Sequence, residues 1–475
     1  MWERIKEDLQ ALIVAIYFAI LQGRDNRLEG RFGREYYIIS SRNRGLNING
    51  KALTPEMSMR GVLIQGETGS SKTAGSLIKG AMTVDGCQFI HAPSSEVFDK
   101  TSGANAERGH NIKVLWLTNV MKSLCFNPLL RCDTLAQITR LAYLLVSLFS
   151  SNRERKSFWS SKAIELLVCI FLILKKLEPR YQTLPNACFL LDNLAGESTR
   201  EYIDRLFADK ADEWLFTKYI SICSQSDNTF SGVISTAQTA LQIFDLDDDI
   251  RRLVSADTIG DFHQLRKEPT SFYLISSTTK IDYYAPIITL FLDQYFEAFF
   301  SRLPEEEDDL DVYFHLDEAP VLRFEGLDTI CANIRKYRGS MCLLAQDASA
   351  QFARVHGEQA RDSILSNLKT KVYYSVSYNE AIRLERELGA FEYKDYFDGF
   401  TVKKRSLKTV DELMQIPENK VLITQTGKRP VLTRFVPYYK DSKYRKLSEL
   451  PPYEIKDQIL PEIELVPLKT MYPKE

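Results

Sequence analysis

Residues Gly61-Val-Leu-Ile-Gln-Gly-Glu-Thr-Gly-Ser-Ser-Lys-Thr73 restrict the fold of this chain more than any other stretch. An apolar run (Val62, Leu63, Ile64) feeds a glycine-bearing turn that ends in Lys72-Thr73 and opens a helical pattern. Strand, turn and helix in that order gather backbone N–H groups and a helix N-terminus around one point, which makes an anion cradle. The pattern is that of a phosphate-binding P-loop over Gly66, Glu67, Thr68, Gly69, Ser70, Ser71, Lys72 and Thr73. Lys72 is then expected on the β- and γ-phosphates of a nucleotide, and the Thr73 hydroxyl on Mg²⁺. Ser71 stands where the strict pattern has glycine. An ordinary strand-turn-helix can carry the same local sequence, so the reading needs a second motif.

That motif is Val312-Tyr-Phe-His-Leu-Asp317-Glu318, an apolar strand ending in two carboxylates. At such an edge Asp317 can hold Mg²⁺ and Glu318 can polarise the water that attacks the γ-phosphate. Successive strand side chains point to opposite faces, so both acids serve one site only where the strand ends. Ala319-Pro320 supplies that end. A polar strand edge after the acidic run 305–309 is the simpler alternative, but its occurrence beside a P-loop favours the metal-and-base reading. Met341-Cys-Leu-Leu-Ala-Gln346 is a further strand, and Gln346 suits a γ-phosphate sensor or water-orienting group. Between the two strands, Ile334-Arg335-Lys336-Tyr-Arg338 is a basic patch on a predicted helix. It reads either as a solvated face or as an arginine finger, Arg335, given to a neighbouring subunit's nucleotide.

The bulk composition sets outer bounds. A chain of 475 residues has room for two or three domains, and 44% hydrophobic with 26% charged residues is ordinary for a globular protein. A net charge of −2 excludes a uniformly basic coat, so any nucleic-acid role must rest on a local lining such as a channel. Eight scattered cysteines with no Cys-x-x-Cys pair indicate reduced thiols in a cytosolic compartment, with neither a disulfide frame nor a zinc site. No metal beyond a nucleotide-bound Mg²⁺ is expected. The apolar run from Ala11 to Leu21 would span about 16 Å as a helix, short of the ~30 Å hydrocarbon core. It reads as an in-plane membrane or partner helix, or as a helix buried on the body. The segment from there to Arg60 carries eight Lys/Arg against four acids, which suits an anionic membrane surface, a nucleic acid or a solvated linker.

Along the chain, β-like runs at 36–40 and 46–48 precede the P-loop, and strand patterns follow at 88–91 and 113–117. The pattern is then helical from about 130 to 252, and strands return at 271–275, 312–316, 341–345 and 371–375. The expected architecture is α/β with an inserted all-α domain. The boundaries are an apolar and basic N-terminal segment (1–34), a nucleotide-binding domain (35–129 and 261–445), the all-α domain (130–260) and an extended tail (446–475).

On these residues the chain resembles the type IV secretion coupling proteins, the hexameric DNA-pumping ATPases of bacterial conjugation. The resemblance runs from about Glu35 to Tyr439. It rests on the P-loop, Cys125-Phe-Asn-Pro-Leu129, Ser157-Phe-Trp159, Leu316-Asp-Glu318, Ile334-Arg335, Gln346, Ser349-Ala-Gln351-Phe with Gly357, Ile364-Leu-Ser-Asn367, and the segment Arg405 to Leu413. It implies a RecA-like nucleotide-binding domain using ATP and Mg²⁺, with the arginine finger at Arg335 and a second nucleotide-side arginine at Arg60. It implies a homo-hexamer that takes single-stranded DNA with its attached relaxase, from a relaxosome, to the secretion channel components. Two departures stand out: Ser71 in place of glycine bears on the hydrolysis rate, and the family's paired N-terminal transmembrane helices have no counterpart. The expected location is therefore cytoplasmic and peripheral, at the inner membrane's cytoplasmic face. Two other functions fit the same residues: a nucleotide-binding recruitment platform with weak or no hydrolysis, and a double-stranded DNA pump of the segregation or packaging type.

Overall fold

Short runs of β-branched and aromatic residues, each closed by polar turn residues, form strands that are buried on both faces except at the sheet's edge. In the computed structural model, which describes residues 30–149, 158–305, 308–322, 324–395 and 401–473, seven such strands pair in parallel. They are β1 (Val62–Gln65), β2 (Cys87–Ala92), β3 (Asn111–Trp116), β4 (Thr270–Ile275), β5 (Val312–Leu316), β6 (Gly339–Ala345) and β7 (Thr370–Tyr373). A separate hairpin, β8 (Ala390–Asp395) with β9 (Thr401–Ser406), follows. Then β10 (Lys420–Gln425) and β11 (Val431–Arg434) extend the sheet antiparallel beyond β7. The order across the nine-stranded sheet is β11-β10-β7-β1-β6-β5-β2-β4-β3. β6 therefore lies between the P-loop strand β1 and the acid-bearing strand β5. The apolar segment 11–21 lies outside the described residues.

Alternation along the strands divides the core into two layers. Leu63, Phe89, Phe272, Phe314 and Leu343 face one apolar cluster, and Val62, Ile64, Ile90, Tyr273, Tyr313 and Leu344 face the other. The first cluster continues without a break into the helices that lie between β3 and β4. Those helices include Leu135–Phe149, Phe158–Lys175, Leu184–Ala195 and Asp227–Leu241. Thr183 and Asp212 cap two of the helix starts by accepting backbone N–H bonds. Gly232 must be glycine, because a Cβ there would lie 2.6 Å from the Trp159 ring. Trp159 thus serves helix-on-helix packing, with Phe158 edge-on to its ring.

The chain enters and leaves the helical layer through a clasp. The N–H of Cys125 donates to the Thr258 hydroxyl (2.8 Å), the Phe126 N–H to the Leu253 carbonyl (3.0 Å), and Arg131 pairs with Asp257. The buried Asn127 holds the turn, accepting from Leu129 and Leu130 N–H and donating to the Gln182 carbonyl. The Cys125-Phe-Asn-Pro-Leu129 motif is therefore a structural gateway.

A strap closes the fold at the other end. The tail expected from 446 starts inside the helix Ser442–Ser448, and the extended run begins at 451. That run crosses from the sheet layers to the helices. The Tyr453 N–H donates to Ser102 Oγ (3.0 Å) and the Gln458 N–H to the Met121 carbonyl (2.8 Å). Asn186 exchanges bonds with the Glu464 carbonyl and the Val466 N–H (both 2.9 Å), and the Tyr472 hydroxyl donates to Asp209 (2.9 Å). The β-like run expected at 36–40 is instead a 3-10 turn, Glu35–Tyr37, with only an isolated bridge from Ser40 to Ala52.

The loop leading into β5 is fixed by Asp309, whose side chain is fully buried. Burial alone would raise its carboxyl pKa, but bonds from Arg302, the Glu305 N–H and Lys267 hold it well below the usual carboxylate range. This ionised form stabilises the fold at neutral pH. Asp309→Asn is expected to lower stability by about 3 kcal/mol at pH 7, read from urea denaturation. The gap between the two proteins should close only below about pH 4, as the wild-type carboxylate takes up its proton.

Candidate nucleotide-binding site

The site forms at the C-terminal ends of β1, β6 and β5, where turns leave the sheet. β1 runs to Gln65, and the loop from Gly66 turns into a helix whose first turn, Thr73–Leu77, is π-type before it continues as Ile78–Ala81. A Cβ at Gly66 would lie 2.4 Å from Ser70 Oγ and 2.8 Å from Tyr374 Cβ, so only glycine fits there. Gly69 and Ser71 both take left-handed backbone conformations, with φ of 82° and 65°. The position where the strict pattern has glycine thus keeps glycine's conformation while carrying a serine. A left-handed conformation costs a non-glycine residue about 1 kcal/mol, and the Ser71 carbonyl still accepts the Gly75 N–H (2.8 Å). Inside the loop, Ser70 Oγ is buried without a hydrogen-bond partner among the described residues.

Five of the expected side chains meet in front of this loop. The Thr73 hydroxyl donates to Asp317 Oδ2 (3.2 Å), Lys72 Nζ lies 3.4 Å from Glu318 Oε1, and the Gln346 amide donates to the same Glu318 oxygen (3.2 Å). Alternation along an extended strand would send adjacent acids to opposite faces. Glu318 avoids this by taking a left-handed conformation itself (φ 49°), so the chain turns at Glu318, one residue before Ala319-Pro320. Gln346 is steadied from behind, since Gln351 Oε1 accepts the N–H groups of both Gln346 and Asp347 (3.1 Å each).

Asp317 is buried, and burial together with the neighbouring Glu318 charge pushes its carboxyl up to about 6, against the pull of Lys72. A cation beside it would favour the ionised form. Hydroxyl plus carboxylate, with Glu318 paired to Lys72 beside them, is an oxygen-only donor set of the kind Mg²⁺ takes. His91, at the end of β2, is a further contributor that the sequence alone does not single out. Its Nδ1–H donates to the Asp317 carbonyl (3.0 Å), which leaves Nε2 to accept from the Ser276 hydroxyl (3.1 Å). Burial lowers this imidazole to about 4, so it is neutral at pH 7 and this single tautomer holds the backbone of Asp317. Its signal is a histidine ending an apolar strand, but the meaning of that signal depends on β2 lying next to β5.

The two arginines stand elsewhere. Arg60 precedes β1 and so lies at the opposite end of that strand from the P-loop, about 13 Å away by strand rise. Arg335 lies in the 3-10 turn Ile334–Tyr337 that leads into β6, where the sequence pattern predicts a longer helix. Both reach Glu56, Arg60 at 2.6 Å and Arg335 at 3.8 Å, and their side chains are 39% and 54% exposed. Neither comes near the P-loop of its own chain. Arg338 of the same patch is taken up by Asp311 (2.7 Å).

A parallel sheet with one strand between the P-loop strand and the acid strand defines a RecA-like P-loop protein. The chain belongs to the family described as Type IV secretory system Conjugative DNA transfer, whose model matches residues 24–460. Protein VirD4 of Rhizobium radiobacter is 22% identical over 416 residues, and VirD4 of Agrobacterium fabrum (strain C58) is likewise 22% identical. These alignments cover 82% of this chain but only 58% and 60% of the two relatives. The chain thus spans less than two thirds of their length. Among solved structures, the bacterial conjugative coupling protein TrwBdeltaN70 with sulphate aligns with a TM-score of 0.66 at 14% identity, over 91% of this chain and 98% of that one. TrwB in complex with the GTP analogue GDPNP aligns at 0.67 and 13% identity over 90% and 98%. TrwB with ADP and Mg²⁺ aligns at 0.63 and 14% over 92% and 98%. At these identities the likeness establishes the fold. No helix among the described residues is long and apolar enough to cross a membrane.

Ser71→Gly relieves a left-handed serine but adds flexibility to the unfolded chain, and the two terms nearly cancel. Its denaturation midpoint should match wild type within about 0.5 kcal/mol. Ser71→Val, β-branched at positive φ, should cost about 2 kcal/mol.

Proposed function

We propose that this chain is an ATP-driven coupling protein, a ring-forming motor that moves single-stranded DNA with its attached relaxase to a type IV secretion channel. The observation that carries this reading is the convergence of Thr73 with Asp317 and of Lys72 with Glu318 and Gln346, in a member of a conjugative DNA-transfer family. The P-loop N–H groups and Lys72 bind the phosphates, and Thr73 and Asp317 hold Mg²⁺, which neutralises charge developing on the phosphate oxygens. Glu318 accepts the proton of the attacking water, and Gln346 holds the Glu318 carboxylate in place and orients that water. Lys72 must leave Glu318 for the phosphates, which frees the carboxylate to act as base. Arg60 and Arg335, exposed at the end of the central strands away from the P-loop, act in this reading on the nucleotide of a neighbouring subunit, which makes the motor a ring. A homo-hexamer at the cytoplasmic face of the inner membrane, and domain limits near 130 and 260, belong to the same reading.

The test is ATPase activity with and without single-stranded DNA. Lys72→Ala is expected to lose both nucleotide binding and turnover. Glu318→Gln should retain binding and lose turnover by roughly 10²-fold or more. Turnover that survives either change contradicts the mechanism, whereas wild-type binding without turnover favours the recruitment platform. Preference for double-stranded DNA favours the other pump.

Arg335→Ala should slow turnover by roughly 10³-fold with ATP affinity unchanged. Mixing Arg335→Ala with Glu318→Gln subunits should then restore part of the activity, because one interface per mixed pair regains both groups. Absence of that recovery counts against the trans-acting arginine.

A further inference from the structure

Arg60 and Arg335, the pair that the proposed ring contact uses, share one carboxylate oxygen. Glu56 Oε1 accepts from Arg60 Nη2 (2.6 Å) and lies 3.8 Å from Arg335 Nη2. Glu56 is exposed, and an ion pair in such a position adds little to stability. The backbone beneath the three side chains is nevertheless tightly fixed.

Glu56 sits in a single helical turn, Pro55–Ser58, which opens on proline and is capped by Thr54, whose hydroxyl accepts the Met57 N–H (3.2 Å). Ser58 is fully buried and anchors this turn. Its hydroxyl donates to the Thr54 carbonyl and accepts the Leu46 N–H (2.8 Å each), and its carbonyl accepts the Ser340 hydroxyl (2.6 Å). Ser340 is the second residue of β6, so the turn carrying Glu56 is tied to the strand that Arg335 leads into. The turn carrying Arg335 is fixed at its base as well. Ile334 is buried, and Gly339 leaves it room, since a Cβ there would lie 2.4 Å from the Ile334 side chain. Arg338, the third left-handed non-glycine residue (φ 54°), donates its N–H to the Arg335 carbonyl (3.1 Å), and its own carbonyl accepts the Val312 N–H (3.0 Å). On the other side the Arg60 carbonyl accepts the Lys369 N–H (3.0 Å). Two guanidinium groups brought this close repel, and a carboxylate between them offsets the repulsion and draws both to one point.

We infer that Glu56 is the positioning residue of this arginine pair, holding Arg335 and Arg60 at the spacing at which they meet a neighbouring subunit's nucleotide. The inference rests on the trans-acting arginine of the proposed function and adds to it the group that sets where that arginine points. Glu56 touches no nucleotide atom in this role, so its loss acts on turnover and leaves ATP binding alone.

The experiment measures ATPase turnover, ATP affinity and the urea midpoint of Glu56→Gln and Glu56→Asp in the full chain. Glu56→Gln is expected to slow turnover about tenfold, with ATP affinity and midpoint as in wild type. Glu56→Asp keeps the charge and should recover part of that loss. Subunit mixing then places the defect. Glu56→Gln mixed with Glu318→Gln should exceed the average of the two alone, because the intact arginine face of one subunit serves the intact site of the other. Glu56→Gln mixed with Arg335→Ala should not exceed that average, because both changes damage the same face. Wild-type turnover in Glu56→Gln overturns the inference, as does a gain in the mixture with Arg335→Ala or a fall in ATP affinity or midpoint equal to the fall in turnover. Undiminished turnover in Arg335→Ala overturns the trans-acting arginine itself, a result distinct from these.

Discussion

Thr73 and Asp317 stand 244 residues apart in the chain and 3.2 Å apart in space, and closing that distance takes the whole parallel sheet. β1 and β5 never pair; β6 lies between them and registers each to itself, Val62 against Cys342 and Val312 against Gly339. A slip of one residue in either pairing would turn every side chain of that strand to the other face and separate hydroxyl from carboxylate. The two apolar clusters on the sheet faces forbid the slip, because each strand is buried on both sides. Core packing and site geometry are in this sense one constraint. The same insertion of β6 also delivers Gln346 to Glu318.

Much of this is legible in the amino-acid sequence. The strands of the parallel sheet are visible as short apolar runs of up to five residues, and the P-loop, Asp317-Glu318 and Gln346 each stand at the end of one. What is not legible has physical reasons. β10 and β11 escape the strand pattern because an antiparallel pair at the sheet margin carries polar residues (Lys420, Thr424, Thr433, Arg434) that dilute the buried-strand signal. Tyr36-Tyr-Ile-Ile has strand composition, yet it lies where no neighbouring strand pairs beyond one bridge, so the local turn prevails. Asn127 is marked by family resemblance, but its work as a turn-holder depends on Gln182, far along the chain. Arg60 and Arg335 are identifiable as residue types. That both gather on Glu56, at the far end of the strands from the loop, follows only from the sheet order.

Left-handed backbone recurs where the chemistry is dense. Ser71 and Glu318, two of the three non-glycine residues with positive φ among the described residues, belong to the loop and the strand end that Lys72 joins. Each conformation is expensive on its own and is held by what surrounds it: the Ser71 carbonyl by the first helical turn, the Glu318 carboxylate by Lys72 and Gln346. Their positions suit a loop that must bring backbone N–H groups inward and a strand end that must aim two acids the same way.

The strap from 451 to 473 changes the mechanics of the helical layer. The layer already shares an unbroken apolar core with the sheet and is fastened by the clasp at 125–131. Through Asn186 and Asp209 it is also tied to a segment that bonds Ser102 on the sheet side. A shift of the helical layer against the sheet would therefore have to break polar contacts along the proline-bearing tail as well as apolar packing, so the tail couples the two layers over a longer line than the clasp does.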